Sequence, residues 1–313
     1  MNNFKSVLTQ DEITVFTLRA LYAEYGYAQY KMSKFEEYEL YVKNKDFLVS
    51  DNVITFTDTD GRLLALRPDV TLSIIKNNKD NPDGIIKAQY NENVYRISGS
   101  THSFGELMQV GLECIGKVGD AEISEVLFLA SKSLDSISED NILAISHLDL
   151  ADGLMEEFGI SAEGKTKILA ALGQKSYSGI YDITESETAS KEKAELLASL
   201  ASVYGAPKAV IPALEQFRVN AKCAAAIDSL LGITDSLSKK GVTKISIDFS
   251  LVGNMKYYNG IAIKGFVEGV PQGVISGGQY DNLMKKMGRS SKAIGFAVYL
   301  DELDRLPKKS SEV

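Results

Sequence analysis

Along this chain the spacing of hydrophobic positions changes several times, and each change marks an element. In "DEITVFTLRALYAEYG" (11–26), Ile13, Phe16, Leu21 and Tyr25 recur close to a helical period, and Gly26 supplies a stop. "YAQYKMSKFEEYELYVK" reads as a short strand, a Ser33 cap and a second helix. Apolar residues on both sides of Asp60-Gly61 in "VITFTDTDGRLLALRPDV" predict a hairpin with that dipeptide at its tip. Asp69, directly after Pro68, can begin a helix over "VTLSIIKNN". "GIIKAQY", "NVYRISG" and "GELMQVGLECIG" predict extended segments, and "STHSFG" is a polar loop between the last two. Helical spacing returns in "DAEISEVLFLASKSLDSI" and, after the strand "NILAISH", in "DLADGLMEEFG".

From about 161 to 239 Ala, Ser, Lys and Glu dominate with helical periodicity, which predicts a helical insertion in a single domain spanning 1–313. Strands resume with "VTKISIDFS", "YYNGIAIKGFV" and "GVISGG", then the helix "YDNLMKKMG" and the strand of "AIGFAVYLDEL". Strands joined mostly by hairpins, with helices between them, predict an α+β fold around a largely antiparallel sheet. A doubly wound sheet would need regular βαβ alternation and a Gly-rich first turn, and neither is present.

Composition narrows the function classes. With 313 residues, 44% hydrophobic and 24% charged, the chain has room for one large core. No apolar run approaches the roughly 20 residues of a membrane span, and "MNNFKSVLTQDE" lacks the apolar centre of a signal peptide, so a cytoplasmic, membrane-free protein is expected. Cys114 and Cys223 sit in separate apolar stretches and are expected as buried, reduced thiols. His102 and His147 have no Cys at ligand spacing, so no metal site is expected. A net charge of −8 disfavours broad nucleic-acid binding.

One local pattern is odd. "AIGFAVYLDEL" (293–303) predicts a strand running into a helix whose first turn carries Asp301 and Glu302. Acidic residues there stabilise a helix by about 0.3 to 1 kcal/mol, but the same place is a natural seat for a phosphate. Helix design and a phosphate site with its charge reversed are both open readings of these two residues.

Five stretches belong together: "LRPDVT" (66–71), "NVYRISG" with "MQVGLE" (93–113), "LVGNMKYYNG" (251–260), "GGQYDNL" (277–283) and "AIGFAVYLDEL". Together, and in this order over most of residues 10–306, they resemble the catalytic core of the class II histidyl-tRNA synthetases. The resemblance implies a class II synthetase-like fold, an antiparallel sheet flanked by helices, and a dimer. It also implies a histidine pocket, in which Asp69 faces the amino group, Gln109 and Glu113 are further polar positions, and Tyr258 and Tyr280 surround the imidazole. Adjacent strand residues face opposite sides, so one of Tyr257 and Tyr258 is expected in the pocket, and Tyr258 is the choice. Taken singly, Asp69 reads as a helix cap, Glu113 as a solvated strand residue, Gln109 as a surface amide and the tyrosines as core aromatics.

Against the synthetase pattern the chain departs where phosphate is held. The position of an essential arginine, five residues before Tyr258, is Gly253, and the arginine of the last motif corresponds to Glu302. Arg96 matches a phosphate-binding arginine, yet the acidic residue expected two places later is Ser98, and "STHSFG" lacks basic residues. Losing two charged hydrogen bonds removes about 3 to 6 kcal/mol, roughly two to four decades in rate if they act in the transition state. Gln279 replaces the usual arginine in "GGQYD", where Gly277 and Gly278 suit a close backbone approach or a tight turn; Ser33 is the nearest match to a proline of the dimer-forming motif. The sequence stops just after the last core motif, so no anticodon-binding domain is expected.

This combination resembles the regulatory-subunit family of ATP phosphoribosyltransferase, paralogues of the synthetases. The resemblance implies a non-catalytic chain with no cofactor and no tRNA. Its implied partner is a short catalytic subunit that condenses ATP with phosphoribosyl pyrophosphate, the first step of histidine biosynthesis. Histidine would be the feedback effector, in a hetero-octamer built on self-associated dimers. A divergent histidyl-tRNA synthetase and another histidine-sensing binding module are the alternative readings.

Overall fold

The computed structural model describes residues 7–45, 48, 53–97, 103–252 and 257–303. Its elements begin with α1 (Gln10–Glu24), β1 (Ala28–Gln29), β2 (Phe35–Glu37), α2 (Tyr38–Lys43), β3 (Thr55–Thr57), β4 (Leu63–Leu66) and α3 (Val70–Asn77). The long strands β5 (Ile85–Ile97) and β6 (Phe104–Gly116) follow, then α4 (Asp120–Ile137), β7 (Asn141–His147) and α5 (Leu148–Glu157). A mostly helical stretch holds α6 (Ala162–Gly173), α7 (Tyr177–Thr188), α8 (Lys191–Ser199), β8 (Tyr204–Gly205), α9 (Pro207–Leu214) and α10 (Ala221–Lys239). The chain returns to the sheet with β9 (Ile245–Asp248), β10 (Asn259–Val267) and β11 (Val270–Gln279), then α11 (Asp281–Lys286), β12 (Lys292–Tyr299) and α12 (Leu300–Leu303).

Nine strands form one sheet in the order β1-β5-β6-β12-β11-β10-β7-β9-β8, and a small second sheet runs β2-β4-β3. From β5 to β7 every neighbouring pair is antiparallel; β1 on β5 and β9 on β7 are the parallel pairs. The expected α+β architecture is therefore present, with helices packed on both faces.

Alternation along the strands assigns the two faces. On β6, Val110, Leu112 and Cys114 enter a large core shared with α1, α4, α5 and α10. Buried residues of the helical stretch, among them Ile168, Leu172, Ile180, Leu197 and Leu230, join the same core. On the other face Tyr90, Val94, Ile115 and Ala293 pack with Leu72, Ile74, Leu283 and Met284 from α3 and α11. Gln109, Gly111 and Glu113 have the parity of this second face, and the site forms there.

Two local expectations are corrected. Ser33 does not cap the second helix: α2 starts at Tyr38, and the Ser33 hydroxyl accepts from the Phe35 N–H at 3.0 Å. The intervening residues are claimed by the small sheet, where Phe35 pairs with Leu66 and Glu37 with Leu64. "GIIKAQY" and "NVYRISG" are one strand rather than two, because Asn91, Glu92 and Asn93 pair with Val110, Gln109 and Met108 on β6. A long ladder outweighs the weak strand preference of these polar residues. Asp69 does cap α3, accepting from the Leu72 N–H at 2.8 Å, and the Asp60-Gly61 tip joins β3 to β4 as expected.

Both cysteines are buried and unpaired with each other, and burial pushes the Cys114 thiol up to about 12. Among the described residues no group of His, Cys, Asp or Glu is arranged to hold a metal, and no helix is long and apolar enough to cross a membrane. His102 and the polar loop before Ser103 lie outside the described residues.

Arg67 joins the small sheet to the large one. Fully buried, it donates to the Ser33 carbonyl at 2.7 Å and the Asn93 carbonyl at 2.8 Å, and pairs with Glu92 at 2.9 Å. Removing one partner of a buried pair strands the other charge and its acceptors, at a cost of about 3 to 5 kcal/mol. Arg67→Ala is expected to lose stability on that scale, read as a lower urea midpoint with an unchanged m-value.

Candidate functional site

A cavity of about 280 Å³ opens on the second face of the sheet, between the strands and the segments around Asp69 and Tyr257. All six residues singled out from the sequence line it: Asp69, Arg96, Gln109, Glu113, Tyr258 and Tyr280. They come from the α3 cap, β5, β6, the approach to β10 and the end of β11.

Glu113 is the most constrained of them. It is 2% exposed, so the reading as a solvated strand residue is excluded. The Thr71 hydroxyl donates to one carboxyl oxygen at 2.7 Å, and the Tyr280 hydroxyl donates to the other at 2.7 Å. Directly across on β12 stands Gly295, where a methyl group would overlap the Glu113 carboxyl group. Glycine is thus required opposite the acid. Burial pushes the Glu113 carboxyl up to about 8, against the opposing pull of the Tyr280 and Thr71 hydrogen bonds.

Asp69 serves as both cap and cavity wall. One oxygen holds the first turn of α3, and the residue keeps partial exposure to the cavity. Burial raises its pKa, opposed first by the Leu72 N–H and then by the Arg96 cation. Gln109 is 4% exposed, which excludes a surface amide. Arg96 lines the cavity at 9% exposure, and its buried Nε has no hydrogen-bond partner among the described residues.

Strand alternation misjudged the tyrosine pair. Tyr257 and Tyr258 both line the cavity, with ring centroids 4.7 Å apart and edge-on, and Tyr257 is 6.1 Å from Tyr280. They precede β10, which starts at Asn259, so the rule for neighbours within a strand does not apply to them. The core-aromatic reading also holds for Tyr257 and Tyr280, which are buried in the second cluster while facing the cavity.

The glycines and Gln279 turn out to be structural. Gly277 lies against the backbone of Gly295 and Phe296, a close approach that no side chain would permit. The Gln279 side chain accepts from the Ile261 N–H at 2.7 Å and bridges the irregular pairing between Asn259 and Ala262. It is therefore spent on the sheet. Of the two lost arginine positions, Gly253 lies outside the described residues, and Glu302 stands in the first turn of α12, just after the cavity-lining Tyr299.

Sequence reasoning missed Thr71, Tyr90, Tyr257, Lys264, Ser276 and Tyr299 as cavity residues. Thr71 was within reach, being two residues beyond Asp69 in the same motif, and so was Tyr257, set aside by the alternation rule; the others depend on cross-strand register, which the letters do not carry.

The Glu113 environment sets a pH dependence. Its ordinary value is 4.5 and its folded value about 8, so between these the folded state holds more protons than the unfolded one. Its contribution to stability is full below about 4.5 and lost as pH rises through about 8, with a slope of up to about 1.4 kcal/mol per pH unit. Glu113→Gln is expected to remove this decline, measured as urea midpoints of both proteins from pH 5 to 8.5.

With this geometry in place, known proteins give context. The histidyl-tRNA synthetase family model matches residues 9–303. The ATP phosphoribosyltransferase regulatory subunit of Acetivibrio thermocellus is 28% identical over 295 residues, covering 90% of this chain and 68% of the relative. That of Carboxydothermus hydrogenoformans is 29% identical over 291 residues, covering 90% and 87%. Among solved structures, an ATP phosphoribosyltransferase regulatory subunit/histidyl-tRNA synthetase from Bacillus halodurans shares the fold with a TM-score of 0.82 at 24% identity, over 96% of this chain and 81% of that one. The ATP phosphoribosyl transferase (HisG:HisZ) complex from Thermotoga maritima contains a chain with a TM-score of 0.72 at 20% identity, over 93% and 97%. The resemblance read from the five motifs is borne out across nearly the whole length, and the chain belongs to the histidyl-tRNA synthetase family.

Proposed function

We propose that this chain is the non-catalytic regulatory subunit of an ATP phosphoribosyltransferase, acting in the cytoplasm at the first step of histidine biosynthesis. Its relatives carry that name over about nine tenths of the chain. The observation that carries the reading is an amino-acid-sized cavity whose amino-acid side is complete while its phosphate side is not. Asp69, Gln109, Glu113, Tyr258 and Tyr280 converge on it, whereas the two clamp positions are Gly253 and Glu302.

Size favours the same ligand class. The cavity of about 280 Å³ has room for one amino acid. Histidine offers an ammonium for Asp69 and an imidazole for the tyrosines and Glu113. A short catalytic subunit is the partner, in a hetero-octamer built on dimers of this chain, and tRNA plays no part. Occupancy regulates only if histidine binds the active and inactive assemblies with different affinity.

The test uses the purified chain with the short catalytic subunit. Phosphoribosyl-ATP formation is expected to depend on this chain and to be inhibited by histidine. Asp69→Asn keeps a good helix cap but removes the charge, so histidine should bind about tenfold or more weakly, with matching loss of inhibition. A reaction indifferent to the chain would overturn the regulatory role; histidine-dependent pyrophosphate exchange by the chain alone would place it with the synthetases.

A further inference from the structure

Space exists over this sheet because of one row of residues. Backbone register aligns Tyr90 on β5, Gly111 on β6, Ala297 on β12, Ser276 on β11 and Lys264 on β10, each directly opposite the next. Directly opposed residues project from the same face. The three middle positions are Gly, Ala and Ser, so the floor is low, while both ends are tall. At one end the Tyr90 hydroxyl occupies the place a side chain at Gly111 would take. At the other end stands Lys264, whose stem packs over Gly273, where a Cβ would come within 2.9 Å of its Cε.

Lys264 has little to hold it. Its Nζ lies 5.3 Å from the Phe266 ring centroid, and among the described residues it makes no ion pair. It lines the same cavity as Arg96, whose Nε is buried and has no hydrogen-bond partner among the described residues. The anions on the cavity wall are Asp69, which caps α3, and Glu113, whose two oxygens each accept a hydrogen bond, from Thr71 and Tyr280. Burial also keeps Glu113 largely protonated near neutral pH. The wall therefore carries two cations against one carboxylate, and an incoming anion balances it.

We propose that Lys264 is a ligand-binding residue of this cavity and, beside Arg96, holds the carboxylate of the bound amino acid. This deepens the reading of the cavity as a histidine site and rests on it. A zwitterion is then gripped at both ends, its ammonium at Asp69 and its carboxylate at the cations, so the free amino acid is distinguished from its amine.

The discriminating experiment is calorimetric titration of the full chain, as wild type, Lys264→Met and Lys264→Gln, with histidine, with histamine, which lacks the carboxylate, and with AMP. Wild type is expected to prefer histidine over histamine by about tenfold or more. Both variants should weaken histidine by about tenfold and leave histamine within about twofold, because the group removed from the protein and the group missing from the ligand are partners. Equal loss for both ligands, unchanged histidine affinity, or an effect of Lys264 on AMP alone would each overturn the assignment. Absence of histidine binding to wild type would instead bring down the effector pocket itself, and this assignment with it.

Discussion

A carboxyl group moved from water into a protein interior is tolerated when its oxygens find donors and when the backbone leaves it room. Glu113 meets both conditions, and much of the site follows from how it does so. Thr71 fixes the start of α3 against β6, and Tyr280 fixes the end of β11 against the same acid. Gly295 opposite supplies the room. Three separated stretches of chain are thereby held around one cavity by a single side chain.

That arrangement also explains the division of labour on the cavity wall. Of the acids and tyrosines suited to an amino acid, Glu113 lies on β6 and Asp69 caps α3, while Tyr258 and Tyr280 stand at the start of β10 and the end of β11, and the buried Arg67 ties the small sheet to the large one. The phosphate end of a synthetase needs several converging cations, since charge neutralisation of a polyphosphate is beyond one guanidinium. Position 302 carries a carboxylate in the first turn of α12, which favours the helix and repels a phosphate at the same place. The two readings of that acidic turn are compatible, because one dipole underlies both. In the regulatory role proposed above, chemistry belongs to a partner, and differential binding of a small effector is the means of control.

Much of the fold was legible because it rests on local rules. The Asp69 cap, the Asp60-Gly61 hairpin and the long amphipathic α4 each follow from residues close in sequence. Where local rules failed, a longer-range interaction had claimed the residues. Ser33 is an acceptable cap by chemistry, but pairing of Phe35 and Glu37 with β4 takes the segment first. Asn91 to Asn93 read as a break, yet pairing along β6 carries the strand through. Tyr257 was discarded by an alternation rule that holds only inside a strand, and β10 starts after it.

The residues alone determined the class of fold, the order of its strands and helices, and the identities of the acids, amide and tyrosines that meet at the site, because spacing and motif are properties of the chain. Tertiary structure decided which of them share a surface. Tyr90, Gly111, Ala297, Ser276 and Lys264 come from five strands and form one row only when the register is set, and no local pattern records that register. Glu113 likewise reads as an ordinary strand acid until Gly295 is known to face it; burial, and with it the protonation of the site, is a consequence of neighbours far away in sequence.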